Sequence, residues 1–208
     1  LFLAPSMTGG GAERVFTHLL RHLDRRRFAP SLALLDKQGP FLEALPPDVE
    51  VIDLKVKRAR YSFKAIIRTV RQQRPDVVFS TIGHMNMTLM LCKPFLPRNI
   101  HYIARETLVP GVYMKHFGAP WYYGHLYRLL YPCFDAIVCQ SRDMQQDMVA
   151  TFAIPLEKTM LLHNPVDVQT IREQAAASSR PLSDARSNLL AMGRLVPRKG
   201  FDLLLRAV

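Results

Sequence analysis

The sequence predicts an α/β protein: a doubly wound, Rossmann-like parallel sheet, followed by the beginning of a second domain of the same kind. Three observations carry that expectation. Short apolar, β-branched runs alternate with longer helical patterns, the rhythm of βαβ units. The runs are apolar with little interruption, as in strands covered on both faces. The composition, 49% hydrophobic and 22% charged over 208 residues, suits a globular chain with one sizeable core and room for part of another.

The elements follow in order. LFLAP (1–5) opens as a strand, and the spacing of apolar residues over 15–23 reads as a helix. SLALLD (31–36) and VEVIDL (49–54) are strands, with a helix over 62–73 behind them. DVVFST (76–81) is a strand followed by a helix over 85–92, and IHYIA (100–104) is another strand. A helix over 121–130 leads to DAIVCQS (135–141), whose Ser141 carries the hydroxyl to cap a helix running to Phe152. TMLLH (159–163) completes seven strands.

The stretch EQAAASSRPLSDARS (173–187) lacks an apolar stripe and reads as linker with some helix before it. NLLAMG (188–193) then reads as a fresh strand and GFDLLLRAV (200–208) as a fresh helix. One strand and one helix cannot bury their own apolar faces, so a second domain is implied. The expected organisation is an N-terminal domain over 1–167, a linker over 168–187, and the first strand, loop and helix of a truncated C-terminal domain over 188–208. The absence of an initial Met adds the expectation that a few residues are missing at the other end.

Composition narrows the function. Cys92, Cys133 and Cys139 sit on apolar stretches without C-x-x-C pairing, which predicts buried reduced thiols and a cytoplasmic protein. No run approaches the roughly 18 apolar residues of a membrane span, and no basic n-region precedes the first apolar residues. The net charge of +11 predicts an anionic partner: nucleic acid, a phosphorylated substrate or an acidic lipid surface.

Two turns carry candidate chemistry. The first strand runs into T-G-G-G-A-E-R (8–14) and then a helix, so glycines permit close backbone approach while the helix start offers free N–H groups. The run matches neither G-x-G-x-x-G nor a P-loop, and an ordinary flexible turn has the same residues. The second turn, G-R-L-V-P-R-K-G (193–200), gathers Arg194, Arg198 and Lys199; an Arg fork and a Lys point charge suit a diphosphate, and a solvated basic loop is the alternative.

Taken in order, GGGAERV (9–15), HNPVD (163–167) and GRLVPRKGFDLLLRAV (193–208) resemble the group 1 (family 4) retaining glycosyltransferases of the GT-B fold. The resemblance implies transfer of a sugar, with retention, from a nucleotide-sugar donor held by the C-terminal domain to an acceptor on the N-terminal domain. It implies no cofactor and no metal; the nucleotide sugar is a co-substrate, and the chain has no D-x-D pair. Arg194 and Lys199 match the residues that stabilise the donor diphosphate as charge develops on the leaving group. Gly193 and Asn164 fall on the donor side, and Gly10 and Gly11 match the loop lining the cleft. Many relatives have a histidine after the strand IHYIA, where this chain has Arg105 and Glu106; Arg105 is expected on the acceptor side and Glu106 in the catalytic site. Glu13 either bonds a hydroxyl or favours its helix start by charge. Family glutamates further into the C-terminal domain are not in this sequence, so the chain alone is expected to be inactive.

The remaining residues have quieter readings. His18 and His22 lack a third ligand and read as surface or packing residues. His84 follows DVVFST at the carboxyl edge, where open α/β sheets bind ligands, and is either a ligand contact or loop. Asn164 and Pro165 have turn chemistry suited to a hinge. Residues 54–75 hold eight Lys or Arg and no acid; Arg60, Lys64, Arg68 and Arg71 share a helix face beside Phe63, Ile66 and Val70. Residues 107–134 also lack acids and carry Tyr113, Phe117, Trp121, Tyr122, Tyr123, Tyr127 and Tyr131. Both segments suit an anionic membrane surface; together with the resemblance, which implies a lipid-linked or envelope glycan as acceptor, they lead to the expectation of a peripheral membrane enzyme. Ordinary core packing of the helix stripe is the alternative. A basic nucleic-acid-binding module and a non-enzymatic phosphate-binding module remain as other classes; with no recognisable nucleic-acid module, nucleic acid is not the expected partner.

Overall fold

The computed structural model describes residues 1–177, 188–193, 195–196 and 199–207. The chain divides into two compact units, Leu1–Val166 and Asp167–Val208.

The first unit contains seven strands, β1 (Phe2–Ala4), β2 (Ser31–Leu34), β3 (Glu50–Asp53), β4 (Val77–Thr81), β5 (His101–Arg105), β6 (Ala136–Cys139) and β7 (Thr159–Leu161). All pair in parallel in the order β3-β2-β1-β4-β5-β6-β7, the doubly wound sheet that the alternating sequence predicts. Its helices are α1 (Gly11–His22), α2 (Phe63–Gln73), α3 (Gly83–Cys92), α4 (Pro110–Phe117), α5 (Tyr123–Leu130) and α6 (Arg142–Phe152). Side chains alternate across the sheet, so β1 and β2 feed two cores. Phe2, Ala4, Leu32 and Leu34 pack with Phe16 and Leu20 of α1, the Phe2 and Phe16 rings meeting edge-to-face at 5.0 Å. Leu3 and Ala33 join the larger core under α2, α3, α5 and α6.

Local differences from the sequence reading have identifiable causes. Helix α1 starts at Gly11, because Gly10 in an extended conformation begins it; glycine's poor helix propensity hides those positions from a periodicity argument. Helix α4 was not foreseen, although Pro110 stands in its first turn and Gly118 ends it in the left-handed region at φ 71°. Ser141 caps α6 as expected, its Oγ accepting from Met144 N at 3.2 Å. Cys92 and Cys139 are buried, but Cys133 is exposed: it ends the turn after α5 and faces out of the core. On α2, Ile66 and Val70 are buried in the core while Lys64, Arg68 and Arg71 are exposed, so the apolar stripe packs on the sheet.

The second unit contains α7 (Val168–Ala177) and α8 (Phe201–Ala207). Residues 168–177 of the expected linker are thus helical, and 178–187 lie outside the described residues. The strand expected over 188–193 is not formed: Leu189, Leu190 and Met192 are exposed and have no neighbouring strand, among the described residues, to complete a ladder.

Candidate active site

The strand order reverses between β1 and β4, and ligands in such sheets enter at the carboxyl ends beside that switch point. Five strand ends lead there. β1 leads to Gly9, Gly10 and Gly11; β4 to Thr81, Ile82 and Gly83; β5 to Arg105 and Glu106; β6 to Gln140; β7 to His163 and Asn164.

The glycine turn has a steric reason. Gly9 sits at φ 106°, and a Cβ on Gly10 would come within 2.6 Å of the Glu13 carboxylate, which folds back over it. The β4 turn carries strain, since Ile82, β-branched, adopts φ 75° and ψ 126°. Its N–H donates to Arg105 O at 3.3 Å, while its carbonyl accepts from Met85 and Asn86 N–H groups at 2.9 and 3.1 Å, which starts α3 and brings Asn86 beneath β5.

Arg105 and Glu106 are adjacent but face different surroundings. Both are buried, 3% and 2% exposed. The Arg105 guanidinium donates to Thr81 Oγ1 at 3.3 Å and Asn164 Oδ1 at 2.6 Å. Asn164 in turn donates through Nδ2 to Gln140 Oε1 at 2.7 Å, and Gln140 Nε2 donates to the Glu106 carbonyl. His163 Nδ1 lies 2.8 Å from Gln140 O, so the segment after β7 is tied to Gln140 at two atoms. Burial pushes the Arg105 guanidinium down to about 10, against the charges of Glu106 and Glu13, which raise it.

The Glu106 carboxyl points into the domain. Its Oε1 accepts from the Tyr131 hydroxyl, from Asn86 Nδ2 at 3.0 Å and from the Tyr127 hydroxyl at 3.4 Å. Ser80 Oγ donates to Asn86 Oδ1 at 2.7 Å and fixes that amide, and the Tyr127 and Tyr131 rings stack at 4.3 Å. Desolvation outweighs these donors and raises the Glu106 carboxyl to about 7. With every one of these partners inside the core, Glu106 is placed to hold the end of β5 rather than to touch a substrate.

The other expected residues are dispersed. His84 is exposed as the second residue of α3, with its carbonyl accepting from Thr88 Oγ1 at 2.8 Å. In the second unit Gly193 and Lys199 are neighbours, a Cβ on Gly193 lying 3.7 Å from Lys199 Cδ, while Arg194 and Arg198 lie outside the described residues. Glu13, Gly10, Arg105 and Asn164 belong to the first unit together. Thr81, Asn86, Tyr127, Tyr131 and Gln140 were not foreseen as part of this site. Tyr127 and Tyr131, four apart on one helical face, and Gln140, just past a strand at the carboxyl edge, were the available signals. The surface depressions along α2 and before β4 and β5, lined by Lys64, Arg68, Arg71 and Arg74, contain none of the site residues.

A doubly wound domain whose glycine turn, buried arginine and asparagine stand at the carboxyl edge beside the switch point is an α/β domain of the Rossmann-like class. The chain belongs to Glycosyltransferase Family 4, whose profile matches residues 9–170. It is 29% identical over 211 aligned residues to N-acetylgalactosamine-N,N'-diacetylbacillosaminyl-diphospho-undecaprenol 4-alpha-N-acetylgalactosaminyltransferase of Campylobacter jejuni, covering 97% of this chain and 56% of that protein. Among solved structures it resembles the apo form of the lipopolysaccharide outer core galactosyltransferase WaaB, with a TM-score of 0.62 at 10% identity, over 81% of this chain and 46% of that one. Anabaena HepE in complex with UDP matches with a TM-score of 0.58 at 16% identity, over 84% of this chain and 49% of that one. These likenesses establish the GT-B glycosyltransferase fold. The chain spans about half the length of the relatives it matches.

Proposed function

We propose that this chain is the acceptor-side domain of a retaining, metal-independent glycosyltransferase that moves a sugar from a nucleotide-sugar donor to a lipid-linked or envelope glycan. The family match over residues 9–170 carries this reading, because it takes in the glycine turn, the Arg105 end of β5 and Asn164. In support, the Campylobacter relative is named for a diphospho-undecaprenol acceptor, and the HepE structure holds UDP. Arg194 and Lys199 are assigned to the donor diphosphate, neutralising charge on the departing nucleotide without a metal. Gly193 stands beside Lys199 on that side, and Gly10, Gly11, Glu13, His84 and Arg105 are assigned to the acceptor cleft. Asn164, expected on the donor side, is bonded to Arg105 and joins the cleft group. Glu106 supports Arg105 from behind.

The enzyme works at the inner face of a membrane; no helix among the described residues is long and apolar enough to span one. The surface favoured for lipid contact is α4–α5, where Trp121 is 85% exposed and Val112, Tyr122 and Leu129 are exposed beside Lys115 and Arg128. Co-sedimentation with anionic liposomes, reduced by Trp121→Ser, checks this; equal negligible binding to anionic and neutral liposomes rejects it. The catalytic reading is tested by incubating the protein, purified as its host expresses it, with nucleotide sugars and an undecaprenyl-diphosphate-linked saccharide. One added hexose or N-acetylhexosamine, undiminished by EDTA and of the donor's anomeric configuration, is expected. No addition from any donor would contradict the assignment.

A further inference from the structure

Of 28 Lys and Arg side chains, Arg105 is the only one buried among the described residues. Buried arginines ordinarily meet a carboxylate, because an isolated charge in the interior is costly. Arg105 does not. The ion pairs among the described residues are Arg25 with Asp48 and Arg26 with Asp24, both at the surface. The guanidinium hydrogen-bonds only to neutral oxygens, Thr81 Oγ1 and Asn164 Oδ1; Glu13 and Glu106 act on it through space without an ion pair, and the carboxyl of Glu106 is taken up by Tyr131, Asn86 and Tyr127. Its main chain is also fixed, since Arg105 O accepts from Ile82 N and Asn86 Nδ2, each at 3.3 Å. The result is a guanidinium held at the switch point with no carboxylate bonded to it and covered by exposed Asn164, whose amide stays anchored on Gln140.

We propose that Arg105 is a receptor for a phosphate oxyanion, and that the Asn164 amide oxygen holds the place on the guanidinium which that oxyanion takes. This rests on the glycosyltransferase reading only in naming a diphosphate as the ligand class. The diphosphate belongs either to the nucleotide donor or to a prenyl-linked acceptor, and the planar Arg fork suits both.

The test is calorimetric titration of the 208-residue chain, in an Arg194→Ala/Lys199→Ala background that removes the other basic turn, with inorganic pyrophosphate, UDP and geranyl diphosphate. Pyrophosphate binding is expected to weaken at least tenfold in Arg105→Gln and also in Arg105→Lys, which keeps the charge but loses the fork. Asn164→Ala is expected to bind as tightly as the parent or more tightly. UDP binding better than pyrophosphate assigns the site to the donor, and geranyl diphosphate binding better assigns it to the acceptor; either supports the receptor. Absence of pyrophosphate binding at millimolar concentration overturns it, as does equal affinity in the parent and a folded Arg105→Gln. Should Arg105→Gln fail to fold, Arg105→Lys decides in the same way. Weakened binding in Asn164→Ala overturns the placeholder role. Glycosyl transfer is read separately by product formation, so a failed receptor leaves that reading standing.

Discussion

Replacing Glu106 with glutamine tests the buried network behind the site. The carboxyl is raised from an ordinary 4.5 to about 7 by burial among Tyr131, Tyr127 and Asn86. A group raised in the folded state binds its proton more tightly there than in the unfolded chain. Its linkage contribution is therefore favourable at acid pH and is lost as pH climbs from about 4.5 through about 7. The displacement corresponds to about 3 kcal/mol of folding stability lost between those limits. That is a large part of the 5–15 kcal/mol, roughly, that holds typical domains folded. Glutamine keeps an acceptor oxygen for Tyr131 and Asn86 but cannot ionise. Urea unfolding of parent and Glu106→Gln at intervals from pH 5 to pH 8.5 gives two stability profiles. Their difference cancels other titrating groups. With a slope of roughly 2 kcal/mol per molar, the parent midpoint should fall by about 1–2 M relative to the variant across this range. Parallel profiles would mean that Glu106 is solvated or already ionised, and the buried network would be wrong.

Three further outcomes follow from particular contacts. A Cβ on Gly83 would run into the Tyr127 hydroxyl, and Tyr127 is stacked on Tyr131 and cannot yield, so Gly83→Ala should lose about 1–3 kcal/mol despite alanine's helix preference, seen as a melting point several degrees lower. Ser141→Ala removes the cap on the Met144 N–H and should cost about 1 kcal/mol in chemical denaturation, with Ser141→Asp recovering most of it. Burial pushes the Cys92 thiol up to about 12 and the Cys139 thiol to about 11, whereas Cys133 is exposed, so a chromogenic disulfide reagent at pH 8 should label one thiol quickly in the native chain and three after unfolding.

The sheet was legible because its signal is physical and repeated: seven apolar runs at βαβ spacing leave few other ways to bury both faces. What was not legible depended on partners distant in sequence. Nothing in NLLAMG reveals whether a neighbouring strand will complete its hydrogen bonds, and in the described structure none does. Of the site, the glycine turn stands out by residue type and by its position after a strand, whereas Arg105 and Asn164 stand out through the family resemblance. Asn86 could not be singled out, since it lies 20 residues from Glu106 and meets it only through the packing of α3 under β5. Glu106 shows the limit in the other direction. Its position after a strand suggested chemistry, whereas its burial makes it a support for the arginine beside it.

The proposed role of the carboxyl edge around Arg105 is sugar transfer onto a lipid-linked or envelope glycan. Its most direct test is mass spectrometry of the host's glycans after deletion of the gene, with complementation by the parent and by Arg105→Gln expressed to equal levels. Loss of one terminal sugar on deletion, restored by the parent and not by Arg105→Gln, is the expected result. An unchanged glycan profile on deletion, or full restoration by Arg105→Gln, would contradict it.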